Sequence, residues 1–168
     1  SIRIPAACTG TVGLKPTYDL VPTAGAFVAS WTLDHLGPMA RSVDDVTLLL
    51  EALIDSPVER AAGLDGLRLG VPDGLFREHV QPDVLTAFDS AVDRVAEGGA
   101  HVVRVDLAPL ARAPRVGSLI ACPELYFGHA QDLAHAEVLG DQTRQNLGDG
   151  AAGPAHVYGG AVDARLEM

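Results

Sequence analysis

The clearest pattern along this chain is helical. Val43, Val46, Leu49, Leu50 and Leu53 recur at a spacing that places one apolar face on a core, while Asp44, Asp45 and Glu51 fall on the solvent side. Ser42 precedes the run as an N-cap, and Asp45, three residues on, makes an aspartate version of the capping box. Both aspartates suit the positive end of the helix dipole, and Pro57 closes the stretch. A strand–helix–strand unit follows. Residues 67–71 (Leu-Arg-Leu-Gly-Val) read as a short strand stopped by Pro72, and Pro82 fits the first turn of a helix. Val84, Phe88, Ala91, Val92 and Val95 share one face of that helix, Gly98-Gly99 closes it, and residues 101–105 return as a strand. Such a crossover joins parallel strands through a right-handed connection, which predicts an α/β fold.

The pattern is weaker elsewhere. Residues 1–40 are rich in Gly, Pro and Thr and read as turns and short strands around a site. Within them, residues 11–14 form a candidate buried strand ended by Pro16, and Ile2-Arg3-Ile4-Pro5-Ala6 reads as the start of a helix. Residues 116–139 read as helical with a break near Pro123. Residues 148–160, with five glycines and one proline, read as a loop, and 161–168 as the start of another helix. Residues 55–66 form a linker within one domain rather than between two. The expected organisation is a single incomplete domain over 1–168, made of residues 1–54, the strand–helix–strand unit at 64–107 and a helical and loop region at 108–168.

Composition narrows the function. With 48% hydrophobic and 20% charged residues the chain is of the globular rather than the disordered kind. A formal net charge of −10, with its arginines scattered, disfavours direct nucleic-acid contact, because phosphate binding needs clustered cations. No apolar run approaches membrane-spanning length, and the start shows no secretory pattern. A cytoplasmic protein without membrane contact is expected. Cys8 and Cys122 are too few and too far apart for a disulfide framework or metal motif and read as buried small apolar residues.

Several polar residues invite chemistry. Asp34-His35 has the composition of a base and its orienter, but adjacent side chains point apart, which favours a turn-stabilising Asp and a packed His. His129, Asp132 and His135 stand at i, i+3 and i+6, whereas helical metal pairs favour i, i+4. A solvated helix edge is the better reading, and no metal is assigned. Arg3 either pairs with a substrate anion or braces local backbone. Tyr126 and Phe127 read as core or as the wall of a pocket. No glycine-rich phosphate loop is present, so no cofactor is expected.

The most specific stretch is Ser1-Ile-Arg-Ile-Pro-Ala, followed by Cys8-Thr9-Gly10 and by Gly13-Leu14-Lys15-Pro16-Thr17. It resembles the end of the signature of the amidase signature family, Gly-Gly-Ser-Ile-Arg-x-Pro-Ala and then Gly-Leu-Lys-Pro-Thr. The segment from Leu33-Asp34-His35-Leu36-Gly37-Pro38 to Ser42-Val43 is similar to the family's next segment, and residues 67–72 to the strand beyond it. Two departures are Cys8-Thr9-Gly10 for Phe-Cys-Gly and Tyr18-Asp19-Leu20 for Tyr-Gly-Arg. The resemblance implies part of an α/β/α sandwich around a mixed sheet and hydrolysis of a small-molecule amide through an acyl-enzyme on Ser1. Its Ser–Ser–Lys triad implies a lysine base acting through a bridging serine held by a cis peptide. Lysine, bridging serine and oxyanion glycines all precede the nucleophile in the family, so this chain by itself is expected to be inactive. Lys15, the chain's one lysine, matches a structural position instead. The alternatives are a non-catalytic scaffold, a split-protein piece that needs an upstream complementary segment or a second copy, or part of the A-type component of a glutamine-dependent amidotransferase. A third reading makes Ser1 an N-terminal nucleophile with its own amine as base.

Overall fold

The structure, a computed structural model, describes residues 2–60 and 62–168. It contains, in order, α1 (Arg3–Thr9), β1 (Val12–Gly13), β2 (Met39–Ala40), α2 (Val43–Ile54), β3 (Arg68–Pro72), α3 (Pro82–Glu97), β4 (His101–Val105), α4 (Ala113–His129), α5 (Asp141–Ala152) and α6 (Ala155–Leu166). The chain divides into two compact units. One comprises the residues up to Glu59 together with Arg115–Leu166, and the other Arg60–Pro114 with Glu167–Met168.

In the first unit α1 ends at Gly10, which takes a left-handed conformation (φ 66°) and returns its N–H to the Ala6 carbonyl. The reversal brings β1 back against the helix, so closely that a Cβ on Gly13 would stand 2.7 Å from that of Ala6. β1 pairs antiparallel with β2, Val12 opposite Ala40 and Gly13 opposite Met39. α2 begins where its N-cap predicts, the Ser42 hydroxyl accepting from the Asp45 N–H at 3.1 Å. Of its predicted apolar face only Val46 and Leu50 are buried, while Val43, Leu49 and Leu53 remain exposed. Two two-residue strands offer too little surface to cover the whole stripe.

The core of this unit lies between α4 and α6. Val116, Ile120 and Ala161 are buried together, with Leu33, Leu119 and Tyr158 packed around them. The expected break at Pro123 does not occur: α4 runs through it to His129. The expected loop at 148–160 is also corrected, since α5 and α6 occupy it and only Gly153-Pro154 interrupts them. Gly150 serves close packing rather than turning. A Cβ there would run into the Cys122 carbonyl and stand 2.7 Å from the Cβ of Tyr126. Cys8 is exposed on α1 and Cys122 half-buried on α4, so neither is the buried residue expected of it.

The second unit holds the predicted strand–helix–strand. β3 and β4 pair in parallel over five residues, from Arg68 opposite His101 to Pro72 opposite Val105. Pro82 opens α3 as expected, yet no residue of α3 is buried and Val84 and Phe88 stand exposed. Arg77 and Asp89 close this unit with a two-pronged ion pair at 2.8 and 2.7 Å.

Two substitutions in α5 separate packing from propensity. Gly150→Ala should lower stability by about 1–3 kcal/mol through the overlap with α4. Gly148→Ala, with nothing within 4 Å of the new Cβ, should raise it by roughly 0.5–1 kcal/mol. Urea denaturation of both variants reads the contrast; equal effects would disprove the close approach.

Candidate active site

Ser1, the residue singled out as nucleophile, lies outside the described residues. The chain that follows it is well placed. Ile2 is buried, and its carbonyl accepts the Ala6 N–H at 3.1 Å in the first turn of α1. A cavity of about 270 Å³ opens beside Ile2, Arg3 and Ile4, and its other wall is Lys15, Leu33, Asp34 and His35. A second cavity of about 100 Å³ shares Asp34 and His35 and extends to Thr17, Tyr18 and Trp31. The Asp34-His35 turn thus faces both spaces.

Within that turn the two side chains act as the adjacent-residue argument expects. The Asp34 carboxylate accepts the N–H groups of Ala29 (2.6 Å) and Ser30 (3.1 Å), while its own N–H donates to the Ser30 carbonyl at 2.8 Å. The turn from 29 to 34 is thereby closed on itself. His35 donates from Nδ1 to the Leu33 carbonyl at 2.8 Å, which fixes its tautomer, and it meets the Tyr18 ring edge-on at 5.3 Å. Lys15 donates from Nζ to the Pro16 carbonyl at 2.6 Å, a local bracing bond that agrees with a structural role. Arg3 is exposed on the first turn of α1 and lines the larger cavity.

The residue that sequence reasoning missed is Glu124. It sits in the middle of α4 at 1% exposure, inside the apolar run Ile120–Tyr126. Its Oε2 accepts the Ser30 hydroxyl at 2.5 Å and the Thr32 N–H at 3.2 Å. Its Oε1 accepts the Thr32 hydroxyl at 2.8 Å and the Tyr158 hydroxyl at 2.9 Å. Burial works against the charged form, but these four donors outweigh it and hold the carboxyl below the usual carboxylate range. Burial and the adjacent carboxylate push the Tyr158 phenol up. A lone glutamate among apolar residues was the available signal, because a carboxylate enters a core only with partners. Burial, with the charge of Asp149 behind it, raises the Cys122 thiol, which is therefore a poor nucleophile.

A further contact with this region comes from His129 on α4. Its ring nitrogens stand 2.8 Å from the Val28 carbonyl and 3.1 Å from the Asp132 carboxylate, and Phe27 stacks on it at 4.1 Å. It is part-buried rather than on the solvated edge expected of it, and His135 lies elsewhere, exposed beside Glu137. Among the described residues no cluster has the makings of a metal site. Phe127 is 83% exposed and meets Trp31 edge-on at 6.0 Å. It is no core residue, and lines instead an apolar groove with Trp31, Pro123 and Tyr158.

Comparison with known proteins joins this geometry to a family. The model of the family described as Amidase matches residues 1–152. The chain belongs to the amidase signature family. An amidase of Pseudomonas putida is 40% identical over 155 residues, covering 83% of this chain and 33% of its own length. The A-type component of the glutamyl-tRNA(Gln) amidotransferase of Salinibacter ruber is 32% identical over 158 residues, covering 79% of this chain and 31% of its own. A solved amidase structure superposes with a TM-score of 0.90 at 32% identity, over all of this chain and 38% of that one. This amidase-family chain therefore spans about a third of the length of the relatives it matches. The α/β class expected from the strand–helix–strand pattern is the fold of these neighbours. Asp19, which replaces the family's usual glycine, has a positive φ of 63°, where glycine is least strained and aspartate is among the better-tolerated alternatives.

Glu124 makes acid stability the test of its charge. A folded pKa below the unfolded value contributes stability above the ordinary glutamate range, near ~4.3, and that contribution disappears as pH falls through the folded value. Glu124→Gln should cost roughly 1–3 kcal/mol at pH 7, and the gap to the unsubstituted protein should narrow steadily below about pH 4. Melting curves at a series of pH values measure it; a gap independent of pH would show that the carboxylate charge is not what the turn holds.

Proposed function

We propose that this chain is part of a serine amidase that cleaves a linear amide C–N bond, with Ser1 as the acyl-accepting nucleophile. The observation that carries the reading is the ordered match from Ser1-Ile-Arg-Ile-Pro-Ala through Gly13-Leu14-Lys15-Pro16-Thr17 to the Asp34-His35-Leu36-Gly37-Pro38 turn. Its support in space is the cavity that opens between Ile2–Ile4 and that turn.

The chemistry follows from what a serine hydroxyl needs. Its proton must go to a base as oxygen attacks the amide carbonyl, and N–H donors must hold the oxyanion that forms. Collapse of the tetrahedral species breaks the C–N bond, the amine leaves with a proton, and the acyl group stays on Ser1 Oγ. Water then repeats the attack and releases the carboxylic acid. In the family's mechanism the base is a lysine acting through a second serine. Lys15 is bound to the Pro16 carbonyl, so this reading takes both groups from outside residues 1–168. It treats the two compact units as parts of one larger domain. The exposed apolar residues of α2 and α3 and the two-stranded sheets support a complementary segment that covers them. The substrate in this reading is a small-molecule amide met in the cytoplasm. Among the described residues no helix is long and apolar enough to cross a membrane.

A fluorophosphonate probe tests the nucleophile. The natural polypeptide that carries residues 1–168 should be labelled at Ser1, and Ser1→Ala should abolish labelling and lower amide turnover by at least about 10⁴-fold. Residues 1–168 expressed alone should show no labelling. Equal labelling of the Ser1→Ala protein would remove Ser1 from the reaction and leave a scaffold as the better description.

A further inference from the structure

We infer that Glu124 is a positioning residue for the amide substrate: through its buried carboxylate it holds the turn that walls the cavity lined by Ile2, Arg3 and Ile4. The inference rests on the reading of Ser1 as nucleophile and adds a residue far from the signature, on a different helix.

A chain of hydrogen bonds links Glu124 to the cavity wall. Glu124 holds Ser30 through its hydroxyl and Thr32 through both its N–H and its hydroxyl. Ser30 and Thr32 flank Trp31, whose carbonyl accepts the Tyr18 hydroxyl at 2.9 Å on the far side of the turn. The Ser30 carbonyl and amide are both engaged by Asp34, so wherever Glu124 places Ser30, Asp34 follows. Asp34 and the next residue, His35, form one wall of the cavity whose other wall is Ile2–Ile4. The flanking ties are single bonds, from His129 to the Val28 carbonyl at 2.8 Å and from Arg165 to the Thr32 carbonyl at 3.3 Å. Among the described residues the four-donor carboxylate is the strongest tie between the turn and the helical core, because Tyr158, its fourth donor, packs on the cluster of Val116, Ile120 and Ala161.

A residue in this position acts on the fit of the substrate and not on the reactivity of the serine. The two separate experimentally. In the natural polypeptide that carries residues 1–168, Glu124→Gln and Thr32→Val should each speed amide hydrogen exchange in residues 28–36, roughly tenfold for the first, with α2 unaffected. KM for an anilide substrate should rise roughly fivefold or more, while kcat and the rate of Ser1 labelling by a small fluorophosphonate stay within about twofold. Thr32→Val keeps the carboxylate paired by Ser30 and Tyr158, so it tests the link should Glu124→Gln fail to fold. The double variant should be no worse than Glu124→Gln alone, since both act through one contact. Unchanged exchange in 28–36 overturns the inference. So does a parallel fall of kcat, labelling and folded fraction, which marks a merely structural residue. A polypeptide whose Ser1 is never labelled, yet whose turn loosens in both variants, overturns the nucleophile reading instead and leaves the hold of Glu124 on the turn standing.

Discussion

A single desolvated carboxylate organises the first unit. Removing an ionised glutamate from water costs several kcal/mol unless hydrogen bonds replace the lost hydration. At Glu124 the replacements come from Ser30 and Thr32 on a turn and from Tyr158 on α6. These groups lie 94, 92 and 34 residues away along the chain, so the charge can be buried only when all three segments have met. Leu33, between Thr32 and Asp34, packs on the same Val116–Ile120–Ala161 cluster. Apolar burial and polar satisfaction therefore demand one arrangement. An arrangement demanded twice over defines the walls of a cavity better than apolar contact alone, which tolerates sliding.

Close backbone approach is the second constraint, and it too converges near the start of the chain. Gly13 lies against Ala6, and a Cβ on Gly37 would collide with the Leu14 carbonyl and come within 2.6 Å of the Ile2 side chain. The Gly-Leu-Lys-Pro stretch and the Gly-Pro before β2 are thereby pressed onto the residues that follow Ser1. A side chain at either glycine would overlap its neighbours there: the Cβ of Ala6 at Gly13, and the Leu14 carbonyl and Ile2 side chain at Gly37. The glycine in each of these family segments thus has a packing reason.

The second unit obeys weaker rules. Its parallel pair has only two strands, and α3 lies on them without burying a single residue. Parallel strands are normally covered on both faces. The apolar stripe of α3 and the exposed half of α2 are surfaces whose pattern anticipates more cover than the described residues supply. The Arg77–Asp89 pair ties the segment after β3 to α3, but it is solvent-accessible, and such pairs hold geometry more than they add stability.

The local elements were legible in the sequence because their causes are local. A capping serine, a 3.6-residue apolar period, a proline in a first turn and a five-residue strand run each depend on neighbours within a turn or two, and α2, α3 and β4 stand where those signals put them, with β3 shifted by one residue so that it includes Pro72. The family, too, was legible, since its signature is a contiguous string of residue types. The sequence pattern misleads where glycine reads as a turn former although close packing uses its missing Cβ, as at Gly150, and where a break is expected near Pro123 but α4 runs through it. Glu124 escaped because nothing near it in the sequence announces its partners. Sequence alone determined where α2 and the strand–helix–strand unit form and which family the chain joins. Tertiary structure decided which turn faces the cavity and what holds it there, because a buried charge is satisfied only by groups that long-range folding brings together.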